Sequence, residues 1–291
     1  MSSMKTIKKR ITSVNSTKKI MKAMNLVAAS KLQKAKNRLD HIRPMFENMA
    51  IVMESIKKSI DPTKNIEFTQ IRDVKSVAYI VLTSDRGLCG SFNTNVSKEA
   101  SALIESNKDK NEHILAIGTK GYEYFRRKEK NVIFRGSAPS ETTSFIDAEL
   151  LGRKIADMYR AGEVDEVYIV YTHFESILSH TPYTAKLLPI NTDITEEDDD
   201  DSIYAPVEMT FDPDPKTFFE DAVPMYLNTI IYGAMMESTV CELASRMTSM
   251  DSATRNATEI IDDLTLEYNR KRQGMITQEI TEIVTGANAL N

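Results

Sequence analysis

The chain has 291 residues, and its 37 basic and 42 acidic side chains leave a formal charge of −5, which excludes polycationic and polyanionic classes alike. With 41% hydrophobic and 27% charged residues it can bury a core, yet 10 glycines, 7% aromatics and no tryptophan are lean values that point to long helices. Cys89 and Cys241 lie far apart with no CxxC partner, which excludes a disulfide scaffold or a cysteine metal cluster and fits a reducing compartment.

The opening residues, MSSMKTIKKRITSV, carry the charge of a signal n-region with no apolar run behind it. No stretch approaches the ~20 apolar residues of a membrane span, so a soluble or peripheral protein made inside the cell is expected, without direct membrane insertion. From Met4 to about Lys58 there is no glycine, and Pro44 is the sole proline. Sampling alternately four and three residues apart from Ile7 to Ile56 meets apolar side chains at every position but Lys18 and Asn25. Such a seam predicts a coiled-coil helix, about 75 Å long at 1.5 Å per residue, with a kink or loosening at Pro44. In a coiled coil a polar seam residue fixes register at some cost in stability; otherwise the seam at Lys18 and Asn25 faces something other than a partner helix.

Between residues 75 and 190 the period changes. The runs 76–84, 113–119, 131–136 and 166–174 are short, β-branched and aromatic, and helical patterns at 93–106, 119–127 and 145–162 lie between them. Alternation of this kind predicts an open, mostly parallel, Rossmann-like sheet covered by helices, with TAKLLPI returning antiparallel. The stretch 191–213, with its run DITEEDDDD, reads as an acidic solvated loop without chemistry.

After DPDPK, which suits a helix start, the four-three sampling resumes from Phe219 to Tyr268 and then shifts to Ile276, Ile280, Ile283, Ala287 and Leu290. The shift is a stutter through Arg272 that locally unwinds a left-handed supercoil. Two terminal helices with one apolar stripe each find their economical partner in one another, antiparallel. Charge agrees: residues 1–58 hold 14 basic against 3 acidic side chains and residues 214–291 hold 6 against 12. Exposed pairs of that kind act on register more than on stability. The expected fold class is α/β: a long antiparallel two-helix coiled coil from 1–58 and 214–291, with a central α/β domain at 75–190.

Candidate chemistry is sparse. The segment LTSDRGLCGSFN (82–93) is a strand end, a turn containing Arg86, Gly87, Cys89 and Gly90, and a helix start. It either cradles a phosphate on backbone amides or is a tight turn in which the glycines supply conformational freedom and Cys89 packs as a small apolar group; it matches neither GxGxxG nor GxxxxGK[ST]. His41, His113, His173 and His180 have no HxH or HExxH spacing, so no metal site is expected. Glu279 and Glu282 share a helix face but read as solvated charges, and no catalytic constellation emerges. The basic first helix is either a binding surface, for phosphates or for an acidic protein, or simply a solvated charged face; its cations are spread around the rod with no aromatic to stack a base.

Three separated motifs, KKIMKAMNLVAASKLQKAK (18–36), SDRGLCGSFN (84–93) and NRKRQGMITQEITEIVTGANAL (269–290), closely resemble the gamma subunit of the F-type ATP synthase, in order and over essentially the whole chain. The resemblance implies a shaft standing in a ring of three alpha and three beta subunits, with the middle domain as a foot on the epsilon subunit and the membrane c-ring. It implies a rotor that transmits torque at the cytoplasmic face of a bacterial inner membrane, has no active site or cofactor of its own, binds no nucleic acid, and leaves catalysis to beta. Carried over by motif, the beta contacts are Lys18, Lys19, Lys22, Ala23 and Met24 on the first helix, and Arg246, Arg272, Gln273, Thr277 and Glu279 on the last. The final apolar turn, with Ile283, Val284, Ala287 and Leu290, is implied to sit in a bearing. Two departures stand out: Asn25-Leu26 follows Met24, and Gly274 sits beside the polar contact residues, where it softens the helix by ~1 kcal/mol relative to alanine. The cysteine pair of thiol-regulated photosynthetic versions is missing, so redox gating is not expected.

Overall fold

A computed structural model describes residues 4–59, 67–69, 72–190 and 214–289. In chain order the elements are α1 (Met4–Ser59), β1 (Ser76–Leu82), α2 (Phe92–Ser106), β2 (Asn111–Ile117), α3 (Thr119–Arg127), β3 (Val132–Gly136), α4 (Phe145–Arg160), β4 (Glu166–Phe174), β5 (His180–Leu188) and α5 (Pro215–Ala289). The chain forms two compact units, one of Ser30–Ser245 and one of Met1–Ala29 with Arg246–Asn291. The acidic stretch 191–213 lies outside the described residues.

In the larger unit the five strands lie in the order β3-β2-β1-β4-β5. The first four are parallel and β4–β5 is an antiparallel hairpin, as the alternation of strand and helix patterns predicts. β1 (SVAYIVL) is buried along nearly its whole length because it is central and covered on both faces. Its Val77, Tyr79 and Val81 pack with Val96, Ala100 and Ile104 of α2 and Phe125 of α3. The ends of the helices follow local chemistry. Ser144 and Asp147 form a capping box at α4. At α5, Asp214 accepts bonds from the amides of Lys216 (3.0 Å) and Thr217 (3.2 Å) with Pro215 as the first helical residue.

Two residues tie the carboxyl ends of the strands together. Thr83, just past β1, donates its hydroxyl to the Ile117 carbonyl (3.0 Å) and accepts from the Gly121 amide (2.9 Å). Gly118 turns the chain there at φ +100°, with no room for a Cβ against the Thr83 carbonyl. Asp85 accepts from the Thr119 amide and hydroxyl, both at 2.8 Å, and from the Ala138 amide at 3.2 Å. Partial burial alone would push its carboxyl up, but these bonds and the Arg135 charge outweigh it and hold the group below its ordinary value of 3.8.

α5 departs from the single-stripe expectation. Between Leu227 and Ser245 no side chain is exposed, because neighbours grip this stretch on several sides. From the hairpin, His173 Nδ1 donates to Glu237 (2.8 Å), His180 Nε2 lies 2.7 Å from Ser245 Oγ, and the Cys241 thiol donates to the Thr172 carbonyl (3.5 Å). From α4, Phe145 meets Tyr232 edge-on and Gly152 admits Asn228. From α1, the Phe46 ring fills the space left by Gly233. Pro44 stands inside α1 without ending it. Lys31 finds its carboxylate on Glu141, in the β3–α4 loop rather than on the acidic last helix, and Arg38 donates to the Glu141 carbonyl at 2.9 Å.

In the smaller unit the two helix ends pair. Asn25 Nδ2 donates to the Met247 carbonyl at 2.8 Å, so the polar seam residue bonds its partner helix and marks a register. Ile7 is buried roughly five turns before Asn25, and Leu264 is buried a like distance after Met247, so the helices run in opposite directions. α1 begins at Met4, 21 residues before Asn25, and Tyr268, 21 residues after Met247, is the last half-buried position of the original seam. Beyond Lys271 every described side chain is exposed as far as Gly286, and no described residue of α1 reaches that part of α5.

Gly118→Ala should cost about 3 kcal/mol or more, because it combines a left-handed backbone with a backbone collision; an unchanged urea midpoint would refute that. Asp85→Asn should cost about 1 kcal/mol at neutral pH. A depressed carboxyl stabilises the fold above the unfolded value near 4 and ceases to as pH falls through the folded value. The difference between the two proteins should therefore shrink below pH 4, as measured by unfolding at a series of pH values.

Candidate functional site

The motif residues of the smaller unit fall into two groups along its helices. On α1, Lys19, Lys22 and Ala23 are exposed while Lys18 and Met24 are half-buried. The Asn25–Met247 bond brings Met24 and Arg246 to one level of the helix pair, where Arg246 is half-buried and engaged. Three neighbours to which the sequence assigned no contact, Ile20, Leu26 and Val27, are 57–63% exposed. The signal was there: they are aliphatic, off the seam and interleaved with lysines. Together they give this level of α1 a mixed cationic and apolar surface, suited to an acidic and apolar partner.

The second group lies along α5 beyond the end of α1. Arg272, Gln273, Thr277 and Glu279 are all exposed, and the Thr277 hydroxyl bonds back to the Gln273 carbonyl at 2.9 Å. Arg246 and Arg272 are 26 residues apart, about 39 Å along one helix, so the structure does not gather all the α5 motif residues at one point. Beside the polar group runs an apolar stripe through Met275, Ile276, Ile280, Ile283 and Val284, with Ile280 56% and Ile283 71% exposed. Leu290 and the side chain of Ala287 lie outside the described residues. Gly274 leaves open space and interrupts neither the helix nor a contact. An apolar stripe in water on a helix is the mark of a surface that another molecule covers.

The turn 84–90 is closed by its own side chains. Ser84 Oγ donates to the Arg86 carbonyl (2.6 Å), Asn93 Nδ2 donates to Ser84 Oγ (2.7 Å) and to Cys89 Sγ (3.1 Å), and the Ser84 amide donates to Asn93 Oδ1 (2.8 Å). Cys89 is buried and packs inward while Arg86, Gly87 and Gly90 are exposed. The left-handed residues are Leu88 (φ 66°) and Gly90 (φ 57°), not Gly87, whose glycine the turn does not require on conformational grounds. This is the geometry of a self-contained strand-to-helix turn.

Cys241 is buried, and burial followed by the nearby Glu237 charge pushes its thiol up, away from thiolate chemistry. His173 and His180 serve as struts between the hairpin and α5. Among the described residues no helix is long and apolar enough to cross a membrane.

A mostly parallel sheet thus grips a long helix in the larger unit, and in the smaller unit that helix outruns the described part of its partner. The ATP synthase family model matches residues 3–290. The ATP synthase gamma chain of Alkaliphilus metalliredigens is 41% identical over 99% of this chain and 98% of its own length. The sodium ion specific ATP synthase gamma chain of Acetobacterium woodii is 39% identical over 98% of each. In fold the chain is similar, with a TM-score of 0.71 at 17% identity, to a chain in the cryo-EM structure of the Euglena gracilis mitochondrial ATP synthase OSCP/F1/c-ring, covering 99% of this chain and 94% of that one. Agreement in sequence along the whole length and in fold has one reading: the chain belongs to the ATP synthase gamma chain family.

Proposed function

We propose that this chain is the central-stalk rotor subunit of an F-type, proton-translocating ATP synthase, carrying torque between the membrane c-ring and the catalytic beta subunits, and that it has no active site of its own. The observation that carries the reading is the end of α5: past Lys271 none of the described residues of its unit covers it, and it exposes the stripe from Met275 to Val284. A shaft needs such a surface for a ring of three alpha and three beta subunits to hold as a bearing, through Ile283, Val284, Ala287 and Leu290. The two motif groups, Lys18 to Met24 with Arg246, and Arg272 to Glu279, are proposed to touch beta loops at two heights. The sheet-bearing part is proposed as the foot on the epsilon subunit and c-ring.

Coupling follows from differential contact. A rotor face biases a beta subunit only if it interacts differently with that subunit's open and closed forms, and the bias equals that difference in free energy. An asymmetric shaft with cationic and apolar patches at distinct levels presents a different face to each of three beta subunits at every angle. Its place would be the cytoplasmic face of a bacterial inner membrane, held peripherally through the complex.

A tagged chain in its native cell should bring down alpha and beta subunits, three of each per tag, with magnesium-dependent ATPase activity; recovery of the chain alone or with nucleic acid would overturn the proposal. Arg272→Ala with Gln273→Ala should leave the isolated chain's unfolding midpoint in place, because both side chains are exposed. In the assembled complex the pair should lower ATP hydrolysis or its coupling to pumping by roughly three- to tenfold, the scale of one or two polar contacts. Unchanged turnover and pumping would remove these residues from the beta contact.

A further inference from the structure

The carboxyl ends of β2 and β3 open into a cavity of about 600 Å3 that no motif residue lines. Ile117, Phe134 and Leu151 form its apolar walls, Met235 reaches it from α5, and the loop 137–143 borders it. The volume suits a drug-sized ligand, and in open α/β sheets this end is where ligands bind, phosphates on loop and helix amides. Here five amides of the loop and the following helix cap are engaged within the protein. Ala138 donates to Asp85 (3.2 Å), Ser140 to Thr143 Oγ1 (2.7 Å), Thr142 to Ser140 Oγ (3.3 Å), Thr143 to the Ser140 carbonyl (3.1 Å) and Ser144 to Asp147 (2.7 Å). An anion would find those donors closed.

The charged side chain that lines the cavity is an acid, Asp147. Its Oδ2 takes both bonds from Ser144, which leaves Oδ1 as an acceptor. Lys154 lies 5.8 Å from the centre of the Phe134 ring but does not line the cavity. The usual polarity of this sheet end is therefore reversed. We propose that the cavity binds a small apolar cation, its hydrocarbon or aromatic body against Phe134, Leu150, Leu151 and Met235 and its ammonium on the Asp147 carboxylate. The bound molecule would join the sheet to α5 through Met235. It would also brace the loop that α1 holds through Lys31 and Arg38 at Glu141, so occupancy is felt by both long helices.

The test uses the purified full-length chain with 4-phenylbutylamine and its anionic counterpart 4-phenylbutyrate, followed by saturation-transfer NMR and titration. The amine should bind with Kd of roughly 1 mM or lower, as its size allows, and the butyrate roughly tenfold more weakly. Leu150→Lys, at a position 64% exposed and so safe for folding, should weaken the amine roughly tenfold by adding a like charge and removing a wall. Asp147→Asn, which keeps an acceptor for the α4 cap, should bring the two ligands to similar affinity. No saturation transfer from millimolar amine would overturn the proposal, as would equal binding of the butyrate by the native chain or undiminished amine binding by Leu150→Lys.

Discussion

The structure depends on where two helices from opposite ends of one chain stop covering each other. An apolar seam is stable in water only against a second surface, and α1 supplies that surface in the smaller unit from Met4 onward. With Asn25 set against Met247, the cover runs out near Tyr268. After that point no described residue covers what α5 displays, polar and apolar alike. The exposure of Ile276, Ile280 and Ile283 is thus the geometric remainder of a 56-residue helix paired from its first turn with the end of a 75-residue one.

The larger unit answers a different demand, a firm hold on the part of α5 between Leu227 and Ser245. Side chains of modest size make this possible: Gly233 accepts the Phe46 ring, Asn228 fits against Gly152, and Cys241, Ser245 and Glu237 meet the β4–β5 hairpin. A helix buried all round cannot turn or slide within its housing without breaking those contacts. For a subunit whose proposed work is torque, such a grip ties the sheet to residues 227–245 of α5. The tie at Asp85, which joins the ends of β1, α3 and the β3–α4 loop, serves the same end.

Much of this was legible in the residues. The strands at 76, 111, 132 and 166 announced themselves by β-branched runs between helical periods, and Asp214-Pro215 marked the start of α5 by cap chemistry alone. Every seam position with a described side chain, from Ile7 to Ile56 and from Phe219 to Tyr268, is buried or half-buried. Periodicity failed where a helix has more than one neighbour. The stretch 227–245 reads as a stripe with small and polar interruptions, and nothing local says that Ser238 and Thr239, off that stripe, are covered. Asp85 was missed because its three bonds reach 34 and 53 residues along the chain. Ile20, Leu26 and Val27 were overlooked because lysines around them drew the reading toward charge. The motif residues themselves came from resemblance, and the structure adds that they fall at two levels of α5, one where it pairs with α1 and one beyond that pairing.

The central claim is that the end of α5 is covered only on assembly, and thiol labelling at Ile280→Cys tests it most directly, since Cys89 and Cys241 are both buried and give little background. In the isolated chain the introduced thiol should react at the rate of an exposed cysteine, and in the assembled complex with alpha and beta subunits it should be protected. Equal reactivity in both, or protection already present in the isolated chain, would contradict the account.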